Sequence, residues 1–296
     1  MPTRFTPALD TMSSALADSV RPLLTAQFDG TFSASQLAEF ALNSRLTRQE
    51  LYVALLTLAA TLANPPISQF RVGALAIGAS GRLYMGANLE LPQQALGHSV
   101  HAEQSAISHA WIKGETAISD IIVNASPCGH CRQFINELYQ GQSINIHLPA
   151  QDVAPLSHYL PYAFGPSDLG INAPLLQNSG AALAYTTNEP LYQHALIQAG
   201  RSYAPYSACH AAVVIEMRTG EFVVGRYAEN AAFNPSLMPM QMALSLMNIH
   251  RLDYQDMIRA VLVESNAGQI SLFAMSRCAL ASVADIELEY LSVSPS

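Results

Sequence analysis

The sequence predicts an α/β protein, a sheet layered with helices, built twice in one chain and preceded by a short helical segment. Three observations predict it. Strand-like apolar runs alternate with helix-like ones between Arg71 and Leu148, the pattern of helices packed on a sheet. The second half then repeats the first. Setting Gly81 on Gly220 gives an offset of 139 residues, which also brings Pro66 onto Pro205, Ser68 onto Ser207, Gly86 onto Gly225 and Glu90 onto Glu229. Between the copies, residues 149–188 are crowded with proline and glycine, among them Pro155, Pro161, Gly165, Pro166 and Gly170. That stretch reads as an extended connector.

Composition narrows the class. A chain of 296 residues with 50% apolar and only 12% charged residues can bury a sizeable core and is expected to be globular, not disordered. The net charge is −8, with no run of Lys or Arg, which argues against gripping a phosphate backbone as a main task. Met1 to Pro7 lacks the apolar core of a secretory signal. The longest apolar run, Leu51 to Ala63, is too short to span a bilayer. Four cysteines in so long a chain do not make a disulfide framework, so a reducing cytoplasm is the expected compartment.

In order along the chain, residues 1–46 carry helical spacing over Leu9 to Leu24 and Ser35 to Leu42, with no evident chemistry. Thr47-Arg48-Gln49-Glu50 is a capping box for the apolar helix that follows, and Pro65-Pro66 stops that helix. Arg71 to Ile77 and Arg82 to Asn88, joined through Ala79-Ser80-Gly81, form a hairpin. Ser99 to Lys113 is a helix closed by Gly114. Asp120 to Ala125 is a buried strand, Cys128 to Tyr139 a second helix and Ile144 to Leu148 a further short strand. The domains are therefore drawn at 1–46, 47–148, 149–188 and 189–296.

The chemistry lies in 47–148. His101-Ala102-Glu103 and Pro127-Cys128-Gly129-His130-Cys131 offer one imidazole and two thiols. Three protein ligands leave a fourth position of a tetrahedral zinc open to water, as in catalytic sites, and a carboxylate beside such a water can move its protons. Cys-x-x-Cys alone is also compatible with a redox pair or half of a structural zinc site. No fourth ligand is well placed, however, because His98 and His130 would need an awkward backbone to close the sphere. In the second copy methionines stand where His101 and Glu103 do, at Met238 and Met240, and no Cys-x-x-Cys follows. The expectation is a degenerate domain that kept the fold and lost the metal. The other histidines, such as His109 and His250, read as surface or satisfied core residues. Cys209 and Cys278 read as buried apolar fillers.

His-x-Glu followed by Pro-Cys-x-x-Cys is the known signature of zinc nucleobase deaminases. The motifs resemble cytidine deaminase, in particular its long two-domain homodimeric form from enteric bacteria. The likeness extends through Ala163-Phe164-Gly165-Pro166 and Tyr227 to Pro235. The resemblance implies a duplicated three-layer α/β/α fold and one zinc per chain on His101, Cys128 and Cys131, with Glu103 as proton shuttle. It implies that Asn88 and Glu90 hold the ribose, that the Ala102 backbone meets the pyrimidine oxygen and that Phe70 packs on the base. Phe164 and the Ala231 region would come from the other subunit of a homodimer. The implied reaction is hydrolytic deamination of cytidine and deoxycytidine in pyrimidine salvage. A deaminase acting on nucleic acid would want a basic groove, and a zinc-stapled binding module has no use for a non-ligand carboxylate at Glu103.

Overall fold

The structure, a computed structural model, describes residues 3–177 and 180–296. The amino-terminal segment comprises α1 (Thr6–Leu9), α2 (Ser14–Val20), β1 (Thr31–Phe32) and α3 (Ala34–Ser44). The first domain follows with α4 (Arg48–Thr61), β2 (Gly73–Gly78), β3 (Leu83–Ala87), α5 (Ala102–Ile112), β4 (Ile118–Val123), α6 (Gly129–Asn136) and β5 (Asn145–His147). The connector carries β6 (Ala154–Pro155), α7 (Leu156–Tyr159) and β7 (Leu183–Ala184). The second domain runs through α8 (Pro190–Gly200), β8 (Ala211–Met217), β9 (Phe222–Arg226), α9 (Pro239–His250), β10 (Met257–Ser265), α10 (Phe273–Ala281) and β11 (Leu288–Pro295).

The two sheets have the same core topology. In the first, ordered β1-β3-β2-β4-β5-β6, β2 runs antiparallel to β3 and β4 while β4 runs parallel to β5. In the second, ordered β7-β11-β10-β8-β9, β8 is antiparallel to β9 and β10, and β10 is parallel to β11. Register repeats too. Ala74 faces Val123 and Val213 faces Leu262, so both strands of the pair carry the offset of the sequence repeat.

Strand alternation sorts side chains into layers. Leu75 and Ile77 of β2 point toward α4 and the amino-terminal segment, whereas Ala74 and Ala76 point toward α5 and α6. In the second domain Val214 and Val261 meet α8, while Val213 and Leu262 meet α9. The α5 and α9 sides of the two sheets merge into one core, and Ser245 donates a 2.8 Å hydrogen bond to Ser105 across it. The helices sit this close to their hairpins because of one repeated glycine. A Cβ on Gly86 would lie 2.1 Å from the Ala106 nitrogen and 2.5 Å from the Ala102 oxygen, and one on Gly225 would lie 1.9 Å from the Pro239 oxygen.

Several elements differ from expectation. The amino-terminal segment is not purely helical, since β1 pairs with the outer edge of β3. Its helix over Leu9 to Leu24 is interrupted at Asp10 to Ser13, where the Ser13 hydroxyl caps α2. The connector is tied down at both ends, β6 pairing with β5 and β7 with β11, so it covers an edge of each sheet. Cys209 is buried, but Cys278 lies exposed on α10. The capping box at Thr47 forms, with Glu50 accepting from the Thr47 nitrogen at 2.8 Å.

The shared core also holds two histidines. The His109 ring, on α5, meets His250, on α9, edge-on at 5.7 Å, and its Nδ1 lies 2.9 Å from the Met85 carbonyl. Burial, helped by the neighbouring His250, pushes His109 down to about 3, and burial with Lys113 nearby pushes His250 down to about 4. Both folded values lie below the unfolded value of about 6.5, so the unfolded chain binds the extra protons. Stability is therefore full above about pH 6.5 and declines as the pH falls toward 4, by up to about 1.4 kcal/mol per pH unit for each histidine. Denaturant midpoints should drop steadily from pH 7 to pH 5. Flat midpoints would mean that these rings are not held neutral.

Candidate active site

The hairpin β2–β3 and the starts of α5 and α6 build the site. His101 is the N-cap residue of α5 and Cys128 that of α6. The sequence predicts that α5 begins near Ser99, with His101 in its first turn. Instead Val100 pairs with Leu89, which holds the chain extended up to His101. Both ligand segments thus face the positive ends of helices, where unpaired N–H groups favour thiolate.

His101 Nδ1 lies 3.4 Å from Cys128 Sγ and 3.3 Å from Cys131 Sγ, and the two sulfurs are 3.7 Å apart. Both cysteines are free. A tetrahedral zinc with bonds of about 2.3 Å to sulfur and about 2.0 Å to nitrogen spans edges of roughly 3.5–3.8 Å, so the three donors fit the metal. Among the described residues this is the one such cluster of ligand side chains. The thiols are unequal. Hydrogen bonds from Cys131 and His101 hold Cys128 down to about 3, whereas the bond to Cys128, together with burial, pushes Cys131 well up. A dication between them favours thiolate at both. His130 stacks on the His101 ring at 4.8 Å, and His98 lies 3.4 Å from the Gln241 amide.

Glu103 stands outside the triangle of donor atoms. It is 4% exposed, and burial pushes its carboxyl up. It lines a cavity of about 370 Å³ that also receives His101, Cys128, Ala102, Asn88 and Phe70. A larger hollow of about 760 Å³ beside α4 contains no metal ligand or acid–base pair, so the chemistry belongs to the smaller one.

Asn88 and Glu90 both face the cavity and both brace its rim. Asn88 accepts from the Val72 nitrogen at 2.9 Å and donates to the Phe70 carbonyl at 2.9 Å. Glu90 accepts from Ile67 and Ser68 nitrogens at 2.8 and 2.9 Å and from the Ser68 hydroxyl at 2.5 Å. Although burial pushes it up, these bonds keep the Glu90 carboxyl below the usual range. The second domain is an internal control. Its Glu229 accepts from Tyr206 and Ser207 in the same way, with no metal ligands nearby to serve. The Glu90 staple therefore belongs to the fold as well as to the site. Asn88, by contrast, is Tyr227 in the second copy, and so changes along with His101 and Glu103.

Phe70 is 60% exposed at the cavity mouth, outside the core, and Leu96 beside it is 73% exposed. Ala102 is buried in the first turn of α5. Phe164 and Ala231 do not line this chain's own cavity. Leu96 and Ser126 do, and sequence reasoning missed them. Ser126 was detectable only as the neighbour of Pro127, while Leu96 sits in a loop without a pattern.

The chain matches the cytidine and deoxycytidylate deaminase zinc-binding region twice, over residues 46–145 and 156–277. It is 58% identical to a cytidine deaminase of Shewanella amazonensis and 57% identical to one of Shewanella pealeana, in each case over 100% of both chains. Among solved structures, a cytidine deaminase from Mycobacterium tuberculosis is 31% identical over 37% of this chain and 91% of that one, with a TM-score of 0.34. Likeness of this degree over the full length, around three donors that fit a zinc ion, means that the chain belongs to the cytidine deaminase family.

Proposed function

We propose that this protein hydrolyses cytidine and 2'-deoxycytidine to uridine and 2'-deoxyuridine with release of ammonia, as a homodimer. The carrying observation is Glu103, buried beside a zinc triangle it does not join, in a cavity of nucleoside scale. Zinc held by His101, Cys128 and Cys131 would supply an acidified water, with a pKa lowered to about 7. Glu103 accepts a proton from that water and delivers it to ring N3, which makes C4 electrophilic. The water oxygen bonds to C4. The carboxylate then takes the remaining proton of the added oxygen and passes it to the exocyclic amine, so that the C4–N bond breaks, the C4 carbonyl forms and ammonia leaves. Each transfer returns Glu103 to its ionised form, so one group can serve repeatedly.

His101, Cys128 and Cys131 hold the metal. Asn88 and Glu90 bind the ribose with the hydrogen-bonding capacity left over from bracing the rim. The Ala102 backbone meets the pyrimidine oxygen, and Phe70 packs on the base. Phe164 and the Ala231 region close the site from the partner subunit, which the exposed apolar mouth at Phe70 and Leu96 supports. Residues 47–148 form the catalytic domain and 189–296 the degenerate copy. A free nucleoside suits the acidic surface better than a nucleic acid does. No helix among the described residues is long and apolar enough to cross a membrane.

Ammonia release from cytidine, deoxycytidine and free cytosine tests this, with Asn88→Ala alongside. The variant should lose about tenfold or more in kcat/KM on the nucleosides, the effect of one lost buried hydrogen bond, and little on cytosine. Equal losses on all three would mean that Asn88 acts only by holding the Phe70 loop. No ammonia from cytidine with the zinc-loaded chain would end the deaminase assignment.

A further inference from the structure

Helix α6 begins at the zinc ligands, and its far end is engaged in something else. Glu137, its C-cap residue, is fully buried. It accepts from the Tyr203 and Tyr206 hydroxyls at 2.6 and 2.5 Å and from the Ala231 nitrogen at 2.8 Å. The Gln133 carbonyl accepts from the Asn230 amide at 2.9 Å. Gln133 and Asn136 amides both donate to the Phe164 carbonyl, at 2.6 and 3.0 Å. One helix end thus brackets two segments 66 residues apart in sequence, the connector at Phe164 and the second domain at Asn230–Ala231. Those segments present aromatic side chains outward: Phe164 is 48% and Phe233 is 66% exposed. Phe233 also sits at φ +62°, a conformation rare for a bulky side chain and usually kept for a purpose. None of this reaches the chain's own cavity.

We propose that Glu137, with Gln133 and Asn136, is the positioning residue for the wall that each subunit lends to its partner's site. The rod that starts at one zinc thus ends by shaping the other subunit's pocket. A buried carboxylate with three donors is a rigid fixture, because losing it leaves two phenols and an N–H unpaired. The proposal rests on the reading that the site closes across a dimer.

Mixed dimers of two differently tagged chains test it. In the first, one chain carries Glu103→Gln together with Glu137→Gln and the other is unaltered. The live site then belongs to the unaltered chain and is walled by the altered one. KM for cytidine should rise about tenfold, the scale of one lost charge-assisted hydrogen bond, with kcat and zinc content little changed. In the second, Glu103→Gln and Glu137→Gln sit on opposite chains, so the live site has an intact wall and KM should stay at its original value. Tyr206→Phe in place of Glu137→Gln should give the same trans pattern more weakly, and serves if the glutamine variant does not fold. A KM defect that follows the live chain, or no defect in either arrangement, would overturn the proposal while leaving the dimer standing. A fully active monomer in sedimentation would instead remove the dimer reading itself.

Discussion

Replacing Glu103 by glutamine is expected to leave zinc bound and to abolish deamination. The amide matches the carboxylate in shape and in its capacity to accept a hydrogen bond, so the buried pocket in the first turn of α5 can keep its packing. What the amide cannot do is take a proton and give it back. A single general acid–base group contributes about 10²–10⁴-fold, and in the proposed reaction one carboxyl would serve water, ring nitrogen and departing amine in turn. A loss of at least about 10⁴-fold in kcat is therefore expected at an unchanged metal content. Ammonia release and metal analysis on one preparation check both halves. If the metal disappears with the activity, Glu103 is a partner of the zinc rather than of the substrate.

Cys131→Ser should do the reverse, losing metal and activity together while the fold survives. Cys131 is 1% exposed and sits on the first turn of α6, fixed by the core on one side and by Cys128 and His101 on the other. Disturbing groups that merely support a ligand already costs about 10–100-fold in metal affinity, so loss of a thiolate ligand should exceed about 100-fold. The fold stands on large apolar clusters to which the site contributes little. A chelator should likewise strip activity from the unaltered protein without melting it, and added zinc should restore it. If far-UV circular dichroism collapsed on metal removal, the zinc would have to be counted as structural.

The site was legible because its parts are short-range signals. His-x-Glu and Pro-Cys-x-x-Cys each fit within one helix start, and the capping box at Thr47 is a four-residue pattern that forms as written. The duplication was legible because a fixed offset survives even where chemistry does not. What sequence could not convey is long-range pairing. The two-residue strands β1, β6 and β7 exist only because a sheet edge waits for them. The true start of α5 depends on Val100 meeting Leu89. Cys278 was expected to be buried because cysteines usually are, and it faces outward on α10. Glu137 was invisible for the same reason, its three donors lying 66 to 94 residues away.

The core common to α5 and α9 bears on how the chain can be divided. Every residue from Ala102 to Trp111 is buried, chiefly against β2 and β3 and in part against α9 of the second domain. Met238 and Met240 stand where the first copy has His101 and Glu103, yet the helix they open still packs on α5. Cutting the chain after the connector would therefore strip one wall from the helix that opens at His101.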